Sequence, residues 1–554
     1  MPLLELPLLT RLTDEFRLSM QRLLQDLCRE LQRDYSDLSS RYDLPVGLFQ
    51  ILSRSLTIES YSNWKVAGWI ESLNDLVYFL DILQQWEGEP DRAEFTQQLF
   101  TECQEKFFEN SYLHDLFPLG RSRVAGLEKR LTSLCRRLAR ELTQESILFD
   151  PVRTVKWCKQ RTGSQWEAPA LFDANFERAE AGNGLSVGIA GERREAPAEV
   201  RRCLKRASGQ ARFLIGTSGV SLCIGQNTFE IWTAWGGQGQ WSWPSQATEV
   251  ALEIGQGAVM IGPTLVYGKD RQPRAIARTA QSQVERISLA WQMIQAAWPE
   301  GAGVLALLTS RIVPLKAKGV VSFSYRHRPG LSFINCFDRD NLDLIDDLIH
   351  ENSHHHLNLL LRKYVMYHGD HHQQIFYSPW RRSLRPLRGM NLLLRKYVMY
   401  HGDHHQQIFY SPWRRSLRPL RGILHATFTF TMGAMLFERL STWASGPGGP
   451  ARWKRAGLTL RDLQRARFRC LEEVESVRYA LQDLHYADRH LGWLTGSGRR
   501  MVGQLAEAIE QIERRIELHR TAVSLSTFGP ALRRHVEKLK KSRMTYGPMR
   551  LSEV

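Results

Sequence analysis

The chain has 554 residues, 43% apolar and 24% charged, and its 74 basic and 58 acidic side chains give a net charge of +16. That length predicts three or four domains, and the balance argues against a disordered or fibrous chain. The eight cysteines (Cys28, Cys103, Cys135, Cys158, Cys203, Cys223, Cys336 and Cys470) include no C-x-x-C pair. A disulfide scaffold, a cysteine-rich zinc module and an iron–sulfur cluster of the usual spacing are thereby excluded. The opening MPLLELPLLTRLTDEF lacks a basic start and is broken by Glu5 and Pro7, so it does not read as a signal peptide. The longest apolar run, Ile423–Phe437, is too short to span a bilayer and contains His425. A soluble, cytoplasmic protein with no membrane partner is expected.

Residues 1–165 carry leucines at three- and four-residue spacing, alternating with charge, and predict a helical region. From 166 to 273 the pattern changes to short β-branched or aromatic stretches separated by Gly, Asn and Ser, such as ARFLIGTSGVSLCIG and FEIWTAW. These predict a β-rich region. A core region over 274–444 opens with a helix at about Ala275–Trp298 and another from Pro299 to near Pro314. A hairpin follows, VVSFSYR and LSFIN around Pro329-Gly330. Beyond the SGPGGP linker, 445–554 predicts amphipathic helices at about Leu460–Leu494 and Arg499–Val523, forming a coiled-coil-like arm or a helical cap. The fold class is therefore α+β, mostly helical, with a β-rich middle.

Within the core region, Asn358–Gly389 recurs letter for letter at Asn391–Gly422. Two identical copies do not make a solenoid, whose repeats diverge and number three or more. Each copy carries a surplus of five positive charges, so a chain with one copy would stand at +11. The basic excess is spread out, densest at Arg533–Arg543, and is expected to form solvated faces rather than a nucleic-acid surface.

The stretch NCFDRDNLDLIDDLIHENSHHHLNLLLRKY carries the chemistry. Asp338 or Asp340 can cap a helix running from about Asn341 to Tyr364, whose leucines and isoleucines keep helical spacing. On it lies His350-Glu351-Asn352-Ser353-His354, an H-E-x-x-H. Four residues is slightly over one helical turn, so both imidazoles project from one face and can share a metal ion. Glu351 lies about 100° round the helix from His350, the position of a general base or supporting group. A competing expectation is a solvated, His-rich helix, which His355 and His356 favour. His425 is the first candidate for a third ligand and Glu438 the alternative. The repeated His368-Gly-Asp-His371-His372 is expected to be an exposed loop.

HENSHHHLN followed by YSPWRRSLRPLRGILHATFTF resembles the HExxH-motif proteins found beside genes for ribosomally made peptides. The resemblance covers about Val320–Phe430. It implies a peptide-modifying enzyme, a dioxygenase that uses Fe(II) and 2-oxoglutarate to hydroxylate side chains of a precursor peptide. It further implies His350, His354 and His425 as metal ligands, Asn358 as a supporting residue, and Arg414 or Arg418 as the grip on the 2-oxoglutarate carboxylate. Copy two is expected to supply that arginine segment, while copy one continues the motif helix to about Tyr364. Trp413 and Tyr410 are expected to pack the loop. Two alternatives stand beside this reading. One is a zinc metallopeptidase with Glu351 as general base. The other is a non-catalytic peptide-binding protein with a degenerate metal site.

Overall fold

The computed structural model describes residues 3–105, 116–117, 126–170, 184–186, 193–195, 197–206, 211–235, 238–243, 250–254, 257–262, 281–316, 318–326, 328–364, 366–367, 409–414, 416–418 and 420–546. They form a mostly helical α+β protein with two five-stranded sheets in the middle of the chain.

The first region is helical through Leu6–Arg33, Ser36–Arg41, Val46–Ser55, Trp64–Gly88, Arg92–Glu105, Leu127–Phe149 and Pro151–Thr162. Leu6–Arg33 buries Leu9, Leu12, Phe16, Met20, Leu23, Leu27 and Leu31, the stripe that its spacing predicts. Trp64–Gly88 is apolar nearly all round and is correspondingly buried along its length. Asn63 starts it by accepting a hydrogen bond from the Lys65 amide at 2.9 Å.

The first sheet is an antiparallel run in the order Gln165–Ala170, Ala211–Gly216, Gly219–Ile224, Asn227–Trp235 and Gln238–Trp241. The two-residue turn after Ile224 places Gly225 at φ +60°, a conformation that glycine adopts without strain. The second sheet joins residues on both sides of position 273. Its order is Phe323–Ser324, Leu331–Asn335, Arg311–Leu315, Gly257–Ile261 and Val250–Ile254. Arg311–Leu315 runs parallel to both neighbours, and every one of its residues is buried. The helix from Pro299 stops at Leu308, short of the expected end near Pro314, because Pro314 belongs to this strand. Its nitrogen faces the side where Gly257–Ile261 has already ended, so no ladder bond is lost. The expected hairpin is present, with Phe323 opposite Phe333 and Ser324 opposite Ser332. The preceding helix is described over Gln281–Ala297.

Leu331–Asn335 leads straight into the motif helix, Asn341–Lys363. Asp340 is its cap: the carboxylate accepts from the Asp343 amide at 2.9 Å, and Asp343 returns the bond to the Asp340 amide at 3.3 Å. The helix Leu420–Ser445 packs across it, and Leu460–Arg489 packs along that helix and reaches the motif helix through Arg465 and Arg469. Gly496–Arg515, Glu517–Ser524 and Gly529–Tyr546 complete the C-terminal part, which is a packed cap rather than a projecting arm. Thr495 caps Gly496–Arg515 through the Gly498 amide. One buried apolar cluster extends from Leu9 to Leu532. Among the described residues, no helix is long and apolar enough to cross a membrane.

The repeat is partly absorbed into this core. Copy one supplies the last turns of the motif helix, where Arg362 is buried against Glu71 and the Phe16 ring, and Lys363 pairs with Glu15 at 2.5 Å. These two basic residues tie the motif helix to the N-terminal helices and are not the solvated charges expected. Met366 and Tyr367 are fully buried, and Met366 accepts from the Thr495 amide at 3.0 Å. The approach is so close that a Cβ at Gly498 would lie 1.8 Å from the Met366 carbonyl oxygen. Residues 368–408, including His368-Gly-Asp-His371-His372, fall outside the described residues. Copy two supplies the short hairpin Phe409–Ser411 and Ser416–Arg418, which touches Leu420–Ser445.

Deleting Asn358–Met390 rejoins Leu357 to an identical sequence, so Met399 and Tyr400 would take the places of Met366 and Tyr367. The extra chain costs on the order of 1 kcal/mol in loop entropy at most. The deletion variant should therefore fold and retain metal, as read by thermal unfolding and metal content. A folded variant without metal would show that the first copy builds the site.

Candidate metal centre

The motif helix is buried on nearly every side, because the second sheet, Gln281–Ala297 and Leu420–Ser445 all pack against it. The solvated, His-rich alternative is thereby corrected. His355 and His356 are 4% and 1% exposed, and both are structural neighbours of the site. The Gly330 amide donates to His355 Nδ1 at 3.3 Å, and Ser332 Oγ lies 3.1 Å from its Nε2. His356 meets the Phe428 ring edge-on.

His350, Glu351 and His354 converge: one donor atom from each lies within 4.8 Å of the others. The imidazoles of His350 and His354 stand edge to face at 5.0 Å, as one helical turn dictates. Burial, with Arg469, Arg414 and Arg339 nearby, lowers His350 to about 4, and burial with His350 and Arg414 lowers His354 to about 3. Both rings are thus neutral near pH 7, the form in which imidazole binds metal. Burial raises Glu351 to about 8, against a hydrogen bond from Ser324, and its Oε2 has no hydrogen-bond partner. The spacing alone put Glu351 to one side of the histidine face; in three dimensions its carboxylate joins the pair.

His425 lies near the start of Leu420–Ser445 and close to His354, but it is not in the converging group. Its Nε2 is buried and unbonded, and burial holds its basicity well below normal. Glu438 is engaged elsewhere, 3.6 Å from Arg439, 3.7 Å from Arg515 and 3.3 Å from the Thr442 hydroxyl. Asn358 is half-buried on the motif helix one turn beyond His354.

The two candidate arginines separate clearly. Arg414 is exposed, pairs with no carboxylate among the described residues, and its charge acts on both His350 and His354. Arg418 sits across the hairpin opposite Phe409, with a buried, unbonded Nε, and its charge is not among those acting on the histidines. Trp413 packs the loop as expected, stacked on Phe430 at 4.4 Å. Tyr410 lies in the hairpin, and its side chain is outside the described residues.

Several neighbours escaped the sequence reading. Asp347 accepts from Ser322 at 2.6 Å and pairs with Arg339 at 3.4 Å. Asp346 pairs with Arg469 at 2.9 Å, and Arg469 with Glu473 at 3.2 Å. Ser322–Asp347 and Asp346–Arg469 join segments far apart in the chain, so no local pattern marks them, whereas Arg469–Glu473 is an i,i+4 pair on one helix. The chain matches no protein-family model and no curated protein.

Metal content should follow this geometry. His350→Ala and His354→Ala should each abolish binding, Glu438→Ala should leave it unchanged, and His425→Ala should weaken it. Glu351→Gln should slow turnover, and should also weaken metal binding if its carboxylate, rather than His425, is the third ligand. Metal retained by His350→Ala at wild-type level would contradict the assignment.

Proposed function

We propose that the protein is an Fe(II)- and 2-oxoglutarate-dependent enzyme that hydroxylates side chains of a ribosomally made precursor peptide. One observation carries this reading: the charge of Arg414, which pairs with no carboxylate among the described residues, acts on two neutral imidazoles that converge with Glu351. Two histidines and a carboxylate are a donor set suited to a non-haem Fe(II) centre with positions left open. The unbonded Glu351 Oε2 and His425 Nε2 are buried polar atoms of the kind that a bound cation and its ligands satisfy. His350 and His354 would hold the iron, with Glu351 or His425 completing the set. Bound there with 2-oxoglutarate and dioxygen, iron supplies the oxidant for placing oxygen into a C–H bond. Arg414 would grip the far carboxylate of 2-oxoglutarate, a task that a planar, permanently charged guanidinium performs better than lysine.

A zinc peptidase is the second reading, and the position of Glu351 favours it. A carboxylate held next to both imidazoles is where a general base for water would stand. Incubation with Fe(II), 2-oxoglutarate and the peptide encoded beside the gene separates the two. We expect one added oxygen atom per turnover and an equal amount of succinate. Arg414→Ala should raise KM for 2-oxoglutarate by about tenfold or more while retaining metal. Zinc-dependent cleavage that ignores 2-oxoglutarate would overturn the hydroxylase and establish the peptidase.

A further inference from the structure

We infer that Glu473 is a positioning residue for this centre, acting through Trp413 to hold both His350 and Arg414 in place; the inference rests on the metal reading above. Glu473 comes from Leu460–Arg489 and is only 3% exposed, an expensive place for a carboxylate unless its oxygens are engaged. They are engaged in two directions. One accepts the Trp413 indole N–H at 2.9 Å. The other meets Arg469 at 3.2 Å, and Arg469 reaches Asp346 on the motif helix at 2.9 Å, one turn before His350. Trp413 in turn lies flat on Phe430, with ring centres 4.4 Å apart and planes 5° apart. Phe430 meets the His350 imidazole edge-on at 5.4 Å.

The result is a closed circuit. From Glu473 one arm runs through Trp413 and Phe430 to the ring of His350, and the other through Arg469 and Asp346 to the backbone that carries it. Arg414 follows Trp413 directly, its amide donating to Ser411 Oγ at 3.3 Å, so anchoring the indole anchors the guanidinium too. Outer groups that orient a metal-binding imidazole commonly change affinity by about 10- to 100-fold.

Co(II) titration of the purified full-length protein, read by its visible absorption, tests this without 2-oxoglutarate. Glu473→Ala and Trp413→Ala should each weaken Co(II) binding by about tenfold, and the double variant should be no weaker than either single. Glu473→Gln should recover binding, because its amide oxygen still accepts from the indole. Trp413→Phe keeps the stack and loses the N–H, so it should fall between. If Glu473→Ala does not fold, Glu473→Gln and Trp413→Phe still decide the point. Wild-type affinity in both alanine variants, or losses that simply add, would overturn the positioning role and leave the metal site standing. A wild-type protein that takes no Co(II) would overturn the metal reading and this inference with it.

Discussion

Burial of one helix brings His350, Glu351 and His354 together as a group that could hold a metal ion. On an exposed helix, His350 and His354 would share a proton equilibrium with water near pH 6.5 and hold metal weakly. Packed between a sheet and two helices, they are held neutral, with Glu351 pressed against them. The strands Leu331–Asn335 and Phe323–Ser324 lie against that helix, and the Asp340–Asp343 capping box fixes where it begins. Arg362 and Lys363 tie its end to the N-terminal helices through Glu71 and Glu15.

The enclosure is asymmetric, and that asymmetry is where chemistry becomes possible. Most charges around the motif helix are cancelled: Asp347 by Arg339, and Asp346 by Arg469. Arg414 is the exception, a cation at the surface of the site with no carboxylate to answer it among the described residues. A positive charge near two imidazoles lowers their basicity and, under the proposed function, would give an incoming carboxylate a partner. Glu473 holds this arrangement from a distant helix, through an indole that stacks over the ring next to His350.

Much of the fold was legible because it depends on short-range pattern. The leucine stripe of Leu6–Arg33, the hairpin around Gly330 and the cap at Asp340 all follow from neighbouring residues. The H-E-x-x-H pair was legible for the same reason, since a helical turn alone brings its histidines together. Pro314 misled because its position reads as a helix stop, whereas the end of a neighbouring strand lets it sit inside a sheet. The approach of the Glu351 carboxylate to both imidazoles was less legible, because angular position on an ideal helix says nothing of how a side chain bends once its surroundings close in. The links from Glu473 to Trp413 and from Arg469 to Asp346 could not be found in the sequence, since these partners lie far apart in the chain and only packing brings them together. The duplication shows the limit most plainly. The letters of the two copies are identical, and nothing in them marks Met366 as buried beside Gly498.

The central claim is that His350 and His354 together hold one iron ion. X-ray absorption at the iron edge, on protein loaded anaerobically with Fe(II) and freed of excess metal, addresses it directly. The account predicts about one iron per chain, with scattering from two imidazole ligands that is lost in the His350→Ala, His354→Ala double variant. Iron surrounded by oxygen alone, or an unchanged spectrum in that variant, would contradict it.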